Sequence, residues 1–203
     1  MPSLAEIQRA LRALRHEPVP FAPDPSHAAV AMILGDGARG LDVCFIRRAE
    51  RAGDPWSGQV AFPGGRAGPG DADPRAVAER ETWEEIGLSL APTQRIGALP
   101  VRPVQSNSAR AGLTLWPFVY YVGDTGHGCA TPRLPEEVAS VFWVPVTHLF
   151  DAQAVTELAY PPGTSSALFP GIRYQQHVIW GLTLRVLASF AQVLERELPA
   201  LAD

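Results

Sequence analysis

Three glutamates, Glu81, Glu84 and Glu85, lie close together in the charged stretch from Arg75 to Ile86, whose composition suits a helix. At about 100° per residue, Glu84 and Glu85 fall on either side of Glu81, and the three carboxylates share an arc of about 100°. Like charges one helical turn apart repel by roughly 0.2–0.5 kcal/mol per pair, so such a cluster calls for a cation. Hard divalent ions, Mg²⁺ or Mn²⁺, take oxygen ligands of this kind, and phosphate oxygens complete their shells. The same acids also suit a solvated helix face, because Arg80 stands beside them and runs of charge usually mark surface. The glycine-rich approach to the helix, PGG followed by GPGD, sets this stretch apart. Its backbone can come close to a ligand, and its junction with a helix presents N–H donors to anions.

The rest of the chain must hold that loop and helix in place. It has 203 residues, 46% of them hydrophobic and 19% charged, which is enough apolar material for one core and too much for a disordered chain. The formal net charge of -4 argues against binding a nucleic-acid polymer through a broad basic face. All 17 basic residues are arginine, whose planar fork suits phosphate, although a biased codon usage gives the same composition. Cys44 and Cys129 form no metal-like pair, so neither a disulfide framework nor a zinc site is expected.

No window has the length of apolar sequence a membrane span requires, and the N-terminus lacks a secretory apolar core. Arginine in the first residues suits a transit peptide too, but Leu4, Ile7, Leu11 and Leu14 recur at helical spacing and favour a docked helix. The sequence therefore reads as soluble and cytoplasmic, with no membrane partner. Residues 1–27 form that helix and a proline-rich connector, 28–197 a single domain, and 198–203 a tail.

Within the domain, residues 28–34 and 41–47 read as a hairpin, and 93–99, 112–122 and 138–144 as further strands. Another pair of strands is expected near 155–160 and 171–179, and a closing helix from Trp180 to Glu197 carries an apolar stripe. The helix from Arg75 to Ile86 ends at Gly87 as its C-cap. The order gives an α+β fold, a mixed sheet between layers of helix.

The segment Phe62 to Leu88 resembles a Nudix box. Arg80-Glu81-Thr82-Trp83-Glu84-Glu85-Ile86-Gly87-Leu88 matches the second half of that motif, with Thr82 where an apolar residue is usual. The first half is one residue longer than the common pattern, and its acidic position is best filled by Asp71, with Asp73 as a substitute. The run FIRRAERAGDPWSGQVAFPGG upstream, and HVIWGLTLRVL near the C-terminus, are similar to elements of the coenzyme A diphosphatase group within that superfamily. The linker at Asp54-Pro55-Trp56 departs from the group in length and content.

The resemblance implies a Nudix-type α/β/α sandwich and metal-dependent hydrolysis of a diphosphate linkage in a small nucleotide-type substrate. Glu81, Glu84 and Glu85 would then hold Mg²⁺ or Mn²⁺, with the Gly65 carbonyl as a further ligand and Arg80 orienting the glutamates. Arg48, Gln59, Phe62 and Gly64 are the residues expected to meet substrate. The general base is one of the box glutamates or a distant acid, for which Glu136 and Glu137 are the candidates. Arg47 and Arg51 can bind phosphate, and Trp56, Trp116, Trp143 or Trp180 can stack an adenine, though each also suits packing.

Three functions remain open at this point. They are cleavage of coenzyme A or an acyl-CoA, cleavage of another substrate such as a nucleotide sugar, ADP-ribose, dinucleotide or NTP, and non-catalytic nucleotide binding. Pairing as a homodimer is also open, since no stretch of sequence identifies an interface.

Overall fold

A computed structural model describes residues 2–53, 56–104, 112–160 and 167–202. Its centre is an eight-stranded mixed sheet. The hairpin of β1 (His27–Gly37) and β2 (Gly40–Arg48) forms where the sequence places it, both strands running beyond the expected limits. On one side β1 runs parallel to β7 (Leu113–Tyr121), with Ala29 beside Trp116 and Met32 beside Val119. Its N-terminal end also pairs with the short β4 (Gly64–Arg66). Strand β2 pairs with β3 (Val60–Ala61) and with β8 (Val138–Pro145). Beyond β7 lie β5 (Arg95–Ala98) and β6 (Arg102–Val104).

Strand alternation divides the core into two layers. Ala29, Ala31 and Ile33 of β1, with Cys44 and Ile46 of β2, pack against Val77, Ala78 and Ile86 of α2 (Pro74–Ile86). Met32 and Leu34, with Val43 and Phe45, face the opposite way. There they meet Ile7 and Leu11 of α1 (Leu4–Ala13) and Leu184, Leu187 and Phe190 of α5 (Gly181–Val193). A sheet apolar on both faces needs a helix on each, and this is the α/β/α sandwich the sequence implied. Leu198 and Ala200, in the segment read as a tail, are buried in the same core as α5.

Three local features differ from the sequence reading. Strand β6 lies in PVRPV, where the prolines look like loop; it is tolerated because among the described residues it pairs with β7 alone. Residues 171–179 form not one strand but the end of β10 (Ala167–Tyr174) and β11 (His177–Trp180), with Gln175 turning at φ 52°. With β9 (Val155–Tyr160) they make a separate three-stranded antiparallel sheet. Helix α5 stops at Val193, and Glu195 lies in the left-handed region at φ 53°. The described residues also include the one-turn α-helices α3 (Gly126–Cys129) and α4 (Val146–Leu149). Among the described residues no helix is long and apolar enough to cross a membrane.

Candidate active site

Helix α2 is fixed at both ends by its own residues. Asp73 is the N-cap, its carboxylate accepting from the Ala76 N–H at 2.8 Å, and Pro74 opens the first turn. Gly87 ends the helix at φ 71°, a left-handed conformation that a side chain would disfavour. Thr82, in the motif's usually apolar position, is fully buried and donates to the Ala78 carbonyl at 2.7 Å. Its hydroxyl is therefore satisfied within the helix, and its methyl can face the core.

The sheet then brings the glycine turn against the acids. Pairing of β4 with β1 lays Gly64 beside Val30 and Gly65 beside Ala29. Gly64 has φ 148°, and a Cβ there would collide with the Ala29 carbonyl and the Val30 backbone. A Cβ on Gly65 would run into the Glu81 carboxylate. Backbone contact thus requires glycine at 64, while glycine at 65 leaves the Glu81 carboxylate in its place. The Gly64 N–H donates to Glu85 Oε2 at 2.9 Å.

Glu85 is 3% exposed, and burial pushes its carboxyl up to about 8; Glu81 and Glu137 push the same way, against the Gly64 N–H and Arg48. Burial also raises the Glu81 carboxyl, opposed by Arg80 and reinforced by Glu84 and Glu137. Arg80 holds the cluster from outside. Its Nη1 donates to Glu81 at 2.8 Å and Glu84 at 2.9 Å, while Nε and Nη2 grip the two oxygens of Asp71 at 3.0 and 2.9 Å. Asp71, 7% exposed, also accepts from the Gly68 N–H. The acid of the longer first half of the motif is thus the anchor of Arg80, whereas Asp73 is the helix cap.

A cavity of about 360 Å³ opens over this arrangement. Of the residues singled out in the sequence, Arg48, Gln59, Phe62, Gly64, Gly65, Glu81, Glu85 and Glu137 line it. Glu84, Arg80 and Glu136 do not. Arg80 joins Glu84 to the lining residue Glu81, and Glu136 meets Arg51 through its backbone carbonyl at 2.6 Å. Among the four tryptophans, Trp56 lines the cavity. Trp116 packs with Phe21 and His27, Trp143 stacks on His127, and Trp180 packs with Tyr160 and Phe169. His177 is buried against Phe142 at 4.0 Å, and Arg47 pairs with Glu50. Asp54 and Pro55 of the altered linker lie outside the described residues.

Sequence reasoning missed Arg66 and an apolar wall made of Leu113, Leu115, Leu182 and Val186. These aliphatic residues read as ordinary core in the sequence, and only the approach of β7 to the start of α5 exposes them to the cavity.

The donor set suits a hard cation. Buried Glu85 and half-buried Glu81, both with raised carboxyl pKa, stand with Glu137 on one cavity wall, and their ionised forms are ones a divalent ion would stabilise. Arg80 and the Gly64 N–H hold these oxygens as placed here, and among the described residues no three such groups already converge on one point.

Residues 25–162 match the NUDIX domain family. The mitochondrial coenzyme A diphosphatase NUDT8 of Homo sapiens is 32% identical over 169 residues, covering 82% of this chain and 68% of that protein. An uncharacterized Nudix hydrolase, NudL of Photorhabdus laumondii, is 33% identical over 139 residues, covering 68% and 70% of the two chains. Among solved structures, a MutT/nudix family protein from Enterococcus faecalis aligns with 98% of this chain and 78% of its own, at TM-score 0.54 and 16% identity.

Proposed function

The chain belongs to the NUDIX domain family, and from that premise we propose that it cleaves the diphosphate of coenzyme A or an acyl-CoA, giving 3′,5′-ADP and (acyl-)4′-phosphopantetheine. The broader activity, that of a Nudix pyrophosphohydrolase, follows from the family and its hydrolase relatives. The observation that carries the proposal is the joining of two chemistries in one cavity. Its acidic side carries Glu81, Glu85 and Glu137, and Leu113, Leu115, Leu182 and Val186 form its aliphatic lining. A coenzyme A thioester has both a charged diphosphate and a long, weakly polar arm. The coenzyme A diphosphatase relatives, at 31–32% identity, support the same reading.

In this reading Glu81, Glu84 and Glu85 hold Mg²⁺ or Mn²⁺, with the Gly65 carbonyl as a further ligand. When bound, a divalent ion supplies neutralising charge at the diphosphate oxygens. Arg80, tied to Asp71, keeps Glu81 and Glu84 directed, and Arg48, Gln59, Phe62 and Gly64 orient the substrate. Glu137, on the cavity wall with Glu81 and Glu85, takes the proton from the water that attacks phosphorus. The bridging P–O bond breaks, and two phosphomonoesters leave. The retained acids disfavour a purely binding module. A different nucleoside-diphosphate substrate rests on the altered linker, of which Trp56 lines the cavity.

The test is a mass-spectrometric product assay with coenzyme A, ADP-ribose, NADH and a dNTP mixture offered separately in Mg²⁺ or Mn²⁺. The proposal expects the highest kcat/KM for coenzyme A or its thioester, with 3′,5′-ADP released. Faster cleavage of another substrate would overturn the substrate while leaving the hydrolase chemistry intact.

A further inference from the structure

Trp83 is 48% exposed on α2, whose apolar side is elsewhere, and the last turn presents carbonyls that no intrahelical N–H can reach. Both are met by one stretch of chain. The Thr131 N–H donates to the Ile86 carbonyl at 3.0 Å and the Arg133 N–H to the Glu85 carbonyl at 2.9 Å. The Arg133 guanidinium lies over the Trp83 ring, 4.4 Å from its centroid, with Nη1 3.5 Å from the Trp83 carbonyl. Its stem passes across Gly87, where a Cβ would come within 2.8 Å of Arg133 Cδ. Gly87 therefore serves twice, turning the helix off and making room for this arginine.

The same stretch leads directly to Glu137. After Arg133 the chain turns, the Glu137 and Val138 N–H groups both donating to the Leu134 carbonyl at 2.8 Å. At its far end the loop is tied to the β2 side of the site. The Ala49 N–H donates to the Glu137 carbonyl, and Arg51 donates to the Glu136 carbonyl and reaches Glu137 Oε1 at 3.4 Å. The loop thus bridges the helix bearing Glu81, Glu84 and Glu85 and the strand bearing Arg48, with Glu137 facing the cavity between them.

We propose that Arg133 is a positioning residue: stacked on Trp83, it pins the Glu137 loop to the end of α2 and sets the Glu137 carboxylate relative to Glu81 and Glu85. The inference rests on the reading of Glu137 as the proton acceptor. A planar guanidinium suits the role because it stacks on an indole and donates at its edge at the same time, which an ammonium does less well. A cation at this end of the helix also complements the helix dipole.

The test is a double-mutant cycle on kcat at saturating metal, using coenzyme A or ADP-ribose, whichever the protein cleaves faster. Arg133→Ala is expected to lower kcat about two- to fivefold, the rate equivalent of an exposed cation–π contact, with substrate KM unchanged. Arg133→Lys should recover only part of the loss. Trp83→Leu removes the other half of the stack from an exposed site, should reproduce the loss, and serves as the second route if Arg133→Ala folds poorly. In a Glu137→Gln background both changes should have no further effect, because the group they position is gone. Equal losses with and without Glu137 would overturn the proposal, as would wild-type kcat in Arg133→Ala and Trp83→Leu. Full activity in Glu137→Gln alone would overturn both the base assignment and the clamp, while leaving the hydrolase reading standing.

Discussion

Arg80 and Asp71 face each other as a two-pronged pair, Nε to Oδ1 at 3.0 Å and Nη2 to Oδ2 at 2.9 Å, while the remaining nitrogen of Arg80 spans Glu81 and Glu84. The guanidinium is thus oriented by one carboxylate so that it can orient two others. The hydrogen bonds from Arg80 hold the Asp71 carboxyl below its usual range, against the opposing effect of burial.

That relationship predicts a separation of metal affinity from turnover. Arg80→Lys, or Asp71→Asn, should raise the Mg²⁺ concentration needed for half-maximal activity by about 10–100-fold, the usual loss when a partner that orients a ligand is removed. Turnover at saturating Mg²⁺ should recover in large part. A metal titration of steady-state rate reads this directly; unchanged metal dependence would contradict the orienting role.

The two glycines of the turn should fail in different ways. A Cβ on Gly64 meets the backbone of Ala29 and Val30, which cannot move aside, so Gly64→Ala should lower Tm by several degrees. A Cβ on Gly65 meets the carboxylate end of the Glu81 side chain, which can shift by giving up its bond from Arg80. Gly65→Ala should keep its Tm and lose activity, with weaker metal dependence. Thermal melts beside rate measurements distinguish the two; equal Tm losses would be against this reading.

Buried Glu85 makes metal-free stability depend on pH. Its carboxyl is raised from 4.5 to about 8, so the folded state keeps a proton that the unfolded state has lost across that interval. Stability is therefore fully present below about pH 4.5 and declines as pH rises towards 8. Melts in EDTA should show wild type falling more steeply than Glu85→Gln between pH 5 and 8, and Mg²⁺ should restore wild type at the upper end. Parallel curves would contradict it.

Thr82 marks a departure from the family pattern that should be silent. Because its hydroxyl is satisfied by the Ala78 carbonyl, Thr82→Val should change Tm by no more than about 4 °C. A larger drop would mean that the hydroxyl supports the helix in some further way.

Much of this site is legible in the sequence because its parts are local. The helix, its Gly87 cap and the acids on one arc follow from spacing within a dozen residues, and Gly64 and Gly65 announce a close approach of backbone. The role of Asp71 is half legible: the shifted spacing marks it as unusual, but only the fold shows its carboxylate gripped by Arg80. The clamp of Arg133 on Trp83 is not legible, since fifty positions separate the two and neither belongs to a periodic pattern. Leu113, Leu115, Leu182 and Val186 are hidden for another reason: an aliphatic residue reads the same in a core and on a cavity wall. Strand β6 is lost to prolines that its pairing with β7 overrides, and the split of β10 from β11 to a turn at Gln175 that carries no glycine, proline or asparagine.

The proposed reaction places metal-dependent cleavage of coenzyme A at the Glu85 side of the cavity. The most direct measurement compares release of 3′,5′-ADP from coenzyme A by wild type and Glu85→Gln, at saturating Mg²⁺ and in EDTA, with melts to show that both proteins are folded. Release by wild type in Mg²⁺ alone is expected, with a loss on the order of 10²-fold or more in the folded variant. Comparable release by Glu85→Gln, or release by wild type in EDTA, would contradict it.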